Sequence, residues 1–224
     1  RYGDTNLLAG GSFLAVNDTA QPNLTAVSFD GSVNTNLHLG RGLGSQVNAL
    51  EPIAPGYGAE VAIGGAFTTA DISRAVGLAT IADGKLVAGG GFFAATAFPE
   101  LNKLRFTSSG DLLLGGSIGL GRSGSPFTPK AMIDTRFTGP VMDGAVRGLA
   151  VTASGAVLAG GTFTKVGSTA RAGLASFILS GSYPFTTAVL DTNFTATLHP
   201  GAIVNVLETT GLGQVLVGGF FTNV

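Results

Sequence analysis

Residues 157 to 163 read Val157-Leu158-Ala159-Gly160-Gly161-Thr162-Phe163: aliphatic residues, a glycine pair, and an aromatic residue two positions later. Five further stretches have the same order of residue types, except that Ile118 stands in place of the aromatic residue in one of them. They span residues 7–13, 61–67, 86–92, 112–118 and 215–221. A pattern that recurs throughout a chain of 224 residues is typical of a repeat protein, in which each copy contributes one small structural unit. We therefore predict a repeat architecture organised around the glycine pair.

The glycine pairs predict closely packed strands. Glycine inside a strand marks a bulge, or a place where another backbone or an aromatic ring comes close. A recurrent pair would let neighbouring sheets approach where strands crowd towards an axis, as the blades of a propeller do. The residues assigned to this structural repeat are Gly10, Gly11, Phe13, Gly64, Gly65, Phe67, Gly89, Gly90, Phe92, Gly115, Gly116, Gly160, Gly161, Phe163, Gly218, Gly219 and Phe221.

Phenylalanine also recurs at equivalent places and is predicted to anchor the core. Besides the residues after the glycines, Phe29, Phe106 and Phe177 are assigned to the end of the third strand of a unit. Phe137 and Phe194 close a segment of the form Asp-Thr-x-Phe. Each buried Phe contributes roughly 1.5 to 3 kcal/mol to stability, so these positions would dominate the burial energy.

No long segment shows the 3.6-residue periodicity of a helix, so we predict an all-β protein. The preferred architecture is a propeller-like array of short antiparallel sheets, and a β-solenoid is the alternative. The solenoid fits less well because the glycine pairs are unevenly spaced, with the pairs at 64, 89 and 115 unusually close. We expect residues 1–224 to form a single repeat domain, either whole or part of a longer chain, since the terminal units lack strands.

The composition excludes several classes of function. The 12 Lys and Arg residues balance the 13 Asp and Glu residues, so no net field attracts nucleic acid. There is no cysteine, which excludes disulfides and thiolate metal sites. The apolar run at 86–99 is interrupted by glycines and is too short for a spanning helix. We predict no nucleic-acid partner, no membrane span and no cofactor.

Several candidate chemical sites are better explained as structure. Residues 119–124 match a G-x-G-x-x-G string, but Pro126 and Pro129 follow where a nucleotide site needs a helix, so we predict a flexible loop. His38 and His199 lack neighbouring ligands in the sequence and are predicted to lie on the surface. The recurrent turn residues Asp30, Asp83, Asp134 and Asp191 stand nearly alone, whereas calcium needs six to eight oxygens. They are predicted to form turns, in which Asp134 and Asp191, with Thr135 and Thr192, bond local backbone.

Three N-x-[ST] strings offer glycosylation acceptors at Asn17, Asn23 and Asn193. Such strings also arise by composition in a chain rich in Asn and Thr. We therefore treat glycosylation as a hypothesis that the mass of the intact chain would decide.

The order of segments resembles the delta-60 repeat. That order is a glycine-pair strand, Phe-Thr, an apolar strand, a turn with glycine, and Leu-Asp-Thr-x-Phe. The resemblance is strongest in residues 145–221 and weakens in 81–124; Ile118 and Leu37 replace an expected Phe. Its residues are Ser154, Gly155, Gly160, Gly161, Phe163, Thr164, Leu190, Asp191, Thr192 and Phe194. It implies a large bacterial extracellular or surface protein with propeller-like β-structure, and it transfers no catalytic residues.

The sequence has repeats but no recognisable cluster of catalytic or ligand-binding residues. This favours a non-catalytic extracellular structural or adhesive protein. The partner would be the protein itself, in an oligomer or surface filament with strand exchange at the chain ends, or flanking repeats. The alternative is a glycan- or peptide-binding propeller module of a larger secreted protein. Such sites usually present exposed aromatics, and the chain has no Trp and only three Tyr. An enzyme is the least favoured class, because no local arrangement of a nucleophile and a base is present.

Overall fold

The computed structural model describes residues 6–53, 59–88, 100–107, 111–117, 119–122, 137, 139–181, 187–196 and 198–222. Gly89, Gly90, Phe92 and Asp134 lie outside these residues. The described chain is all β, and it contains no helix that could cross a membrane. It divides into two compact units, Arg1–Leu101 with Ser125–Met132, and Asn102–Gly124 with Ile133–Val224.

The first unit contains one four-stranded sheet, one two-stranded sheet and two small hairpins. Its strands are β1 (Asn6–Gly10), β2 (Ala15–Val16), β3 (Thr19–Ala20), β4 (Leu24–Ser28), β5 (Val47–Pro52), β6 (Val61–Gly65), β7 (Thr69–Ala70), β8 (Ser73–Arg74), β9 (Leu78–Ala82) and β10 (Lys85–Ala88). The sheets have the orders β1-β4 and β10-β9-β6-β5, and the hairpins are β2-β3 and β7-β8. One buried cluster that includes Leu24, Val47, Ile63 and Phe67 forms the core of this unit.

The second unit repeats this construction. The remaining strands are β11 (Leu101–Phe106), β12 (Leu112–Gly116), β13 (Gly119–Arg122), β14 (Val146–Val151), β15 (Val157–Gly161), β16 (Lys165–Val166), β17 (Thr169–Ala170), β18 (Leu174–Ser180), β19 (Thr187–Leu190), β20 (Ile203–Thr209) and β21 (Val215–Phe220). The sheets have the orders β11-β12-β13, β14-β15-β18-β19 and β20-β21, and the hairpin is β16-β17. Two buried clusters form the core.

Both four-stranded sheets follow one plan. Four successive long strands pair antiparallel with their neighbours, and the glycine pair ends the second strand, β6 or β15. Between the second and third strands the chain makes a small hairpin and returns. The third strand is preceded by a residue with positive φ, which is Asn23 at 64°, Gly77 at 68° and Gly173 at 69° in the three copies. Glycine and asparagine tolerate this conformation best.

The return of the chain is held by one repeated hydrogen bond. The amide of Gly173 donates to the carbonyl of Phe163 at 2.8 Å. The amides of Gly77 and Asn23 donate in the same way to Phe67 and Phe13, at 2.9 and 2.8 Å. The recurring Phe therefore fixes the end of the second strand through its backbone as well as its ring.

The predicted Phe anchors are confirmed where they lie inside complete sheets. Phe67, Phe163 and Phe177 are buried. The prediction is wrong for Phe29, which is 58% exposed, because Val27 takes the place in β4 that Phe177 takes in β18. Phe106 is half-buried and ends β11, the first strand of its sheet and not the third. The other described anchors, Phe13, Phe137, Phe194 and Phe221, are half-buried.

The loop predicted for residues 119–124 is wrong over its first four residues. Gly119–Arg122 forms β13 and pairs antiparallel with β12, from Leu113↔Arg122 to Gly116↔Gly119. Gly119 has a φ of 113°, which lets the chain reverse tightly after β12. Composition alone suggested a loop because two of these residues are glycine, whereas pairing with the buried strand β12 makes them a strand.

Candidate functional site

In three of the pairs the first glycine makes room for the next sheet. A Cβ atom built on Gly160 would lie 2.3 Å from Cγ1 of Val204 and 3.2 Å from Cδ1 of Leu207, both on β20. Gly10 relates in the same way to Val47 and Leu50 of β5, with a 2.4 Å approach to Val47. Real Cβ atoms do not come this close, so the position requires glycine for sheet-to-sheet packing.

Gly115 completes the series. A Cβ there would lie 2.6 Å from Cγ1 of Val146 and 3.2 Å from Leu149, both on β14. In all three cases the partner is a Val followed three residues later by a Leu on the first strand of the next sheet. The glycine pair and this Val-x-x-Leu pattern therefore form one interlock between successive sheets.

The second glycine of each pair serves its own sheet. A Cβ built on Gly161 would lie 1.9 Å from the carbonyl oxygen of Ala145, and on Gly219 it would lie 2.0 Å from that of Ile203. The same approach at Gly65 is 2.2 Å, to Gln46. Each carbonyl precedes a β-bulge in the first strand, at Val47/Ala49, Val146/Gly148 and Val204/Val206. The bulge pushes the backbone towards the second glycine.

Gly11 is the exception that supports this explanation. Its sheet, β1-β4, has no strand on that side among the described residues, and a Cβ on Gly11 would meet only the ring of Phe13 at 3.4 Å. The remaining repeat glycines, Gly64, Gly116 and Gly218, lie in β6, β12 and β21. The glycines whose contacts are described above thus serve the packing of strands and sheets.

An exposed apolar surface lies on β20 and β21. Leu216 is 60% exposed, Phe220 is 73% exposed and Val206 is 48% exposed. Beside them a groove of about 420 Å³ is lined by His199, Pro200, Gly201, Ala202, Gly219, Phe220, Phe221 and Thr222. Single exposed apolar residues are ordinary, but a cluster beside a groove marks an interaction site.

The groove has a counterpart in the four-stranded sheet β14-β15-β18-β19, which we call the complete sheet. There the chain that follows β15 occupies the corresponding place. The two sheets correspond at a spacing of 58 positions, as Leu149 and Leu207 show. At the positions that correspond to the groove, the segment before β14 contacts the chain that follows β15. Met142 bridges to Val166 of the small hairpin, and a Cβ on Gly144 would lie 2.7 Å from the Cα of Phe163. In the complete sheet the counterpart of the groove therefore contacts the small hairpin β16-β17.

The predicted turn aspartates occupy turns where they are described, and two of them accept local hydrogen bonds. Asp30 accepts hydrogen bonds from the hydroxyl and the amide of Ser32 at 2.7 and 2.9 Å, and these bonds lower the pKa of Asp30. Asp191 accepts from the amide of Asn193 at 3.0 Å, and Asp83 occupies the turn with a φ of 49°. Within the described residues no group of three or more His, Cys, Asp or Glu side chains could hold a metal.

The predicted histidines and glycosylation sites occupy different environments. His38 in the first unit and His199 in the second are both exposed. Asn17 and Asn193 are exposed, whereas Asn23 is 8% exposed and donates its side-chain amide to the carbonyl of Leu43 at 2.8 Å. In the folded chain the acceptor nitrogen of Asn23 is therefore engaged, and glycosylation at the other two sites stays a prediction.

Two polar features escaped the sequence analysis. Arg122 is fully buried on β13; its Nη1 donates to Oδ1 of Asp111 at 3.1 Å, and its guanidinium lies 5.7 Å from the ring centre of Phe137. A buried charge needs such a partner. Because the residue sits in a glycine-rich stretch that predicts a loop, no sequence signal pointed to burial.

The second feature is Asp143, which is exposed before β14. Its carboxylate accepts from the hydroxyl of Thr164 at 2.5 Å and from the amides of Thr164 and Lys165 at 2.7 and 2.8 Å. The Thr164 hydroxyl and then the two amides lower the pKa of Asp143 to about 2. The carboxylate thereby fastens the hairpin β16-β17 to the segment before β14. In the sequence, this contact is indicated by Asp143 before the first strand together with Phe163-Thr164 after the glycine pair of the same unit.

No family model matches the chain, and neither does any curated protein sequence. Among solved structures the chain is similar to the WD40 β-propeller domain of Doa1, at 11% identity and a TM-score of 0.58, over 97% of this chain and 58% of that one. It is also similar to the extracellular domain of BT3049 from B. thetaiotaomicron, described as a hybrid two component system, at 12% identity and a TM-score of 0.58. That match covers 98% of this chain and 26% of the other.

The chain therefore spans less than two thirds of both structures that it resembles. At these identities the likeness shows the fold alone. Together with the separate short antiparallel sheets, it confirms the predicted propeller-like array and sets the β-solenoid aside.

Proposed function

We propose that this chain is a non-catalytic β-propeller module of an extracellular or cell-surface repeat protein of the delta-60 type, with a structural or adhesive role. The observation that carries the proposal is the interlock between sheets. Gly10, Gly115 and Gly160 each receive a Val of the next sheet. The residues that recur in each repeat serve packing, and the polar groups serve turns. Such a repeat is a scaffold, and its function depends on its exposed edges and loops.

The extracellular assignment draws on two supports. One is the resemblance to the delta-60 repeat, carried by the glycine pair, Phe163, Thr164 and the 190–194 segment. The other is the similarity of fold to an extracellular domain in B. thetaiotaomicron. The uncharged, polar surface composition agrees with both, because only 11% of the residues are charged.

Surface proteolysis tests this proposal. Intact cells of the source organism would be treated briefly with trypsin, and the released peptides identified by mass spectrometry. We expect peptides from this chain among those released from intact cells, at yields close to those from lysed cells. An abundant cytoplasmic protein serves as the control and should appear only after lysis; release of this chain only after lysis would refute the surface assignment.

A second candidate function is the binding of a peptide or glycan. The groove beside Phe220 and Phe221 favours it, because both rings border an open apolar surface. A glycan array with immobilised sugars separates the two, and hits that a competing peptide does not displace would favour the glycan.

A further inference from the structure

The first strands of the sheets share one polar position. It follows the Val or Leu that begins the Val-x-x-Leu pattern, and in β5, β14 and β20 it is the extra residue of the bulge. The residue there is Asn48 in β5, Asn102 in β11 and Asn205 in β20, but Arg147 in β14. Among these four first strands Arg147 therefore departs from the asparagine of the repeat.

The asparagine can link neighbouring first strands without a charge. In the second unit, Nδ2 of Asn102 on β11 donates to the carbonyl of Val146 on β14 at 3.0 Å. Nη1 of Arg147 makes the next link, to Oδ1 of Asn205 on β20, at 3.0 Å. Because an amide is enough for the first link, the packing of the strands does not account for the charge of Arg147. Departures from a structural pattern are expected at functional positions.

Arg147 and Asn205 are both exposed, so this linked pair is open to solvent. A guanidinium carries five N–H donors in a planar fork, and the link to Asn205 uses one of its nitrogens. The side-chain amide of Asn205, held through its oxygen, carries further donors on its nitrogen. A planar cation and an amide donor thus stand side by side, a combination that suits a carboxylate with a neighbouring hydroxyl.

A second polar position lies three residues further along the same strands. Arg105 of β11 and Glu208 of β20 occupy it, and they form an ion pair. The sheet between them in the chain, that of β14, has the small residue Ala150 at this position. Three residues of a strand span about 10 Å, so the ion pair lies roughly that far along the strands from the level of Arg147.

We propose that Arg147 and Asn205 bind the carboxylate of an acidic saccharide, whose hydroxyls extend towards the Arg105–Glu208 ion pair. Glu208 already matches the charge of Arg105, so Arg147 supplies the charge that selects an acid. Sugar hydroxyls both donate and accept, and the ion pair offers both kinds of partner. Recognition by charge-assisted hydrogen bonds does not depend on aromatic stacking, which agrees with a chain that has no Trp. The proposal goes beyond the structural role, which does not require it.

NMR titration of the whole chain, labelled with ¹⁵N, tests the proposal. The probes are disaccharides of galacturonic acid and of glucuronic acid, and sialic acid; the uncharged controls are the galactose and glucose disaccharides. We expect saturable shifts of the backbone amides of residues 146–148 and 204–206 with at least one acidic probe. The controls should bind at least about tenfold more weakly, because they lack the charged partner of Arg147.

A substitution that restores the repeat residue tests the role of the arginine. Arg147→Asn should leave the circular dichroism spectrum unchanged, since asparagine occupies this position in three other first strands. It should weaken the binding of the acidic probe by about tenfold or more. The matched control is Arg74→Asn, which removes an exposed arginine from β8 with the same change of net charge and should bind as the parent does.

Four outcomes would overturn the inference. They are no binding of any acidic probe, equal binding of the uncharged controls, undiminished binding in Arg147→Asn, and an equal loss in both variants. Acetate serves as a further probe, and an affinity equal to that of the acidic saccharide would mean that only a bare anion is bound, which would also refute the saccharide. None of these results affects surface proteolysis, which tests the proposed function separately.

Discussion

Residues 157–163 and 215–221 carry nearly the same sequence, Val-Leu-Ala-Gly-Gly-Thr-Phe and Val-Leu-Val-Gly-Gly-Phe-Phe, yet they differ sharply in burial. Both stretches contain the second strand of a sheet, and both pair with a bulged first strand. Leu158 is 5% exposed, whereas Leu216 at the same place is 60% exposed.

The difference comes from two neighbours that β15 has and β21 lacks among the described residues. The strand β18 covers its second edge, and the sheet β20-β21 covers the face that bears Leu158 and Gly160. The motif therefore determines the path of its own backbone and the space left beside its glycines. Its burial depends on which other strands pack against it. Substitutions at matched positions of the two stretches should separate these contributions.

The largest effect is expected for Gly161→Val. The new Cβ would lie 1.9 Å from the carbonyl of Ala145, and backbone atoms cannot yield as a flexible side chain can. We expect a loss of about 3 kcal/mol or more, which would leave little of a typical stability. Urea denaturation followed by circular dichroism measures it.

The matched control for that prediction is Gly11→Val. Gly11 occupies the same repeat position, but a Cβ there meets only Phe13 at 3.4 Å, which is an ordinary contact. Its stability should change by less than about 1 kcal/mol. Equal losses in both variants would show that the bulged strand is not the cause.

A smaller effect, still substantial, is expected for Leu158→Ala. Leu158 belongs to the buried cluster that contains Val204 and Leu207, so truncation leaves a cavity and should cost about 2 to 4 kcal/mol. Leu216→Ala is the counterpart on the exposed stretch and should cost less than about 1 kcal/mol. Similar losses in thermal and urea denaturation would mean that the face of β21 is covered in solution.

The interlock between sheets predicts a coupled pair. Gly160→Ala would bring a Cβ 2.3 Å from Cγ1 of Val204 and should cost about 1 to 3 kcal/mol. Combining it with Val204→Ala removes the clash, so a double-mutant cycle should show a coupling of about 0.5 to 3 kcal/mol. Gly218→Ala meets only the half-exposed Val206 and should show no coupling to Val204→Ala. Strict additivity at Gly160 and Val204 would contradict direct packing.

The smallest effect concerns pH. The pKa of Asp143 is lowered from 3.8 to about 2, so its carboxylate stabilises the folded chain above pH 3.8, and this contribution disappears as the pH falls through about 2. Asp143→Asn should therefore flatten the dependence of melting temperature on pH in this range. Gly201 occupies the corresponding place before β20 and carries no carboxylate. An unchanged pH profile in the Asn variant would show that the carboxylate does not fasten the hairpin.

Much of the fold could be predicted because its signals are local. Alternating apolar residues, glycine pairs and turn residues such as Asp30 and Gly155 act on neighbouring backbone, so strands and turns follow from short stretches. The prediction failed where the position of a residue depends on a strand that is distant in the sequence. Phe29 was expected in the core, but the register of β1 with β4 gives that place to Val27.

The candidate site was less predictable than the fold. The glycines could be assigned to close packing, but the two different reasons for the pair, a neighbouring sheet for Gly160 and a bulge for Gly161, needed coordinates. Arg122 was hidden in a stretch that reads as loop. The exposed edge of β21 could not be told from the buried edge of β15, since the two sequences are nearly alike.

By itself the sequence determined that this protein is an all-β repeat, where its glycine-pair strands lie, and which turns connect them, because these depend on residues close together along the chain. Only the tertiary structure decided which copies are buried and which Phe residues reach the core. Those outcomes depend on strands that pack against the motif from elsewhere in the chain, and the motif does not encode their presence.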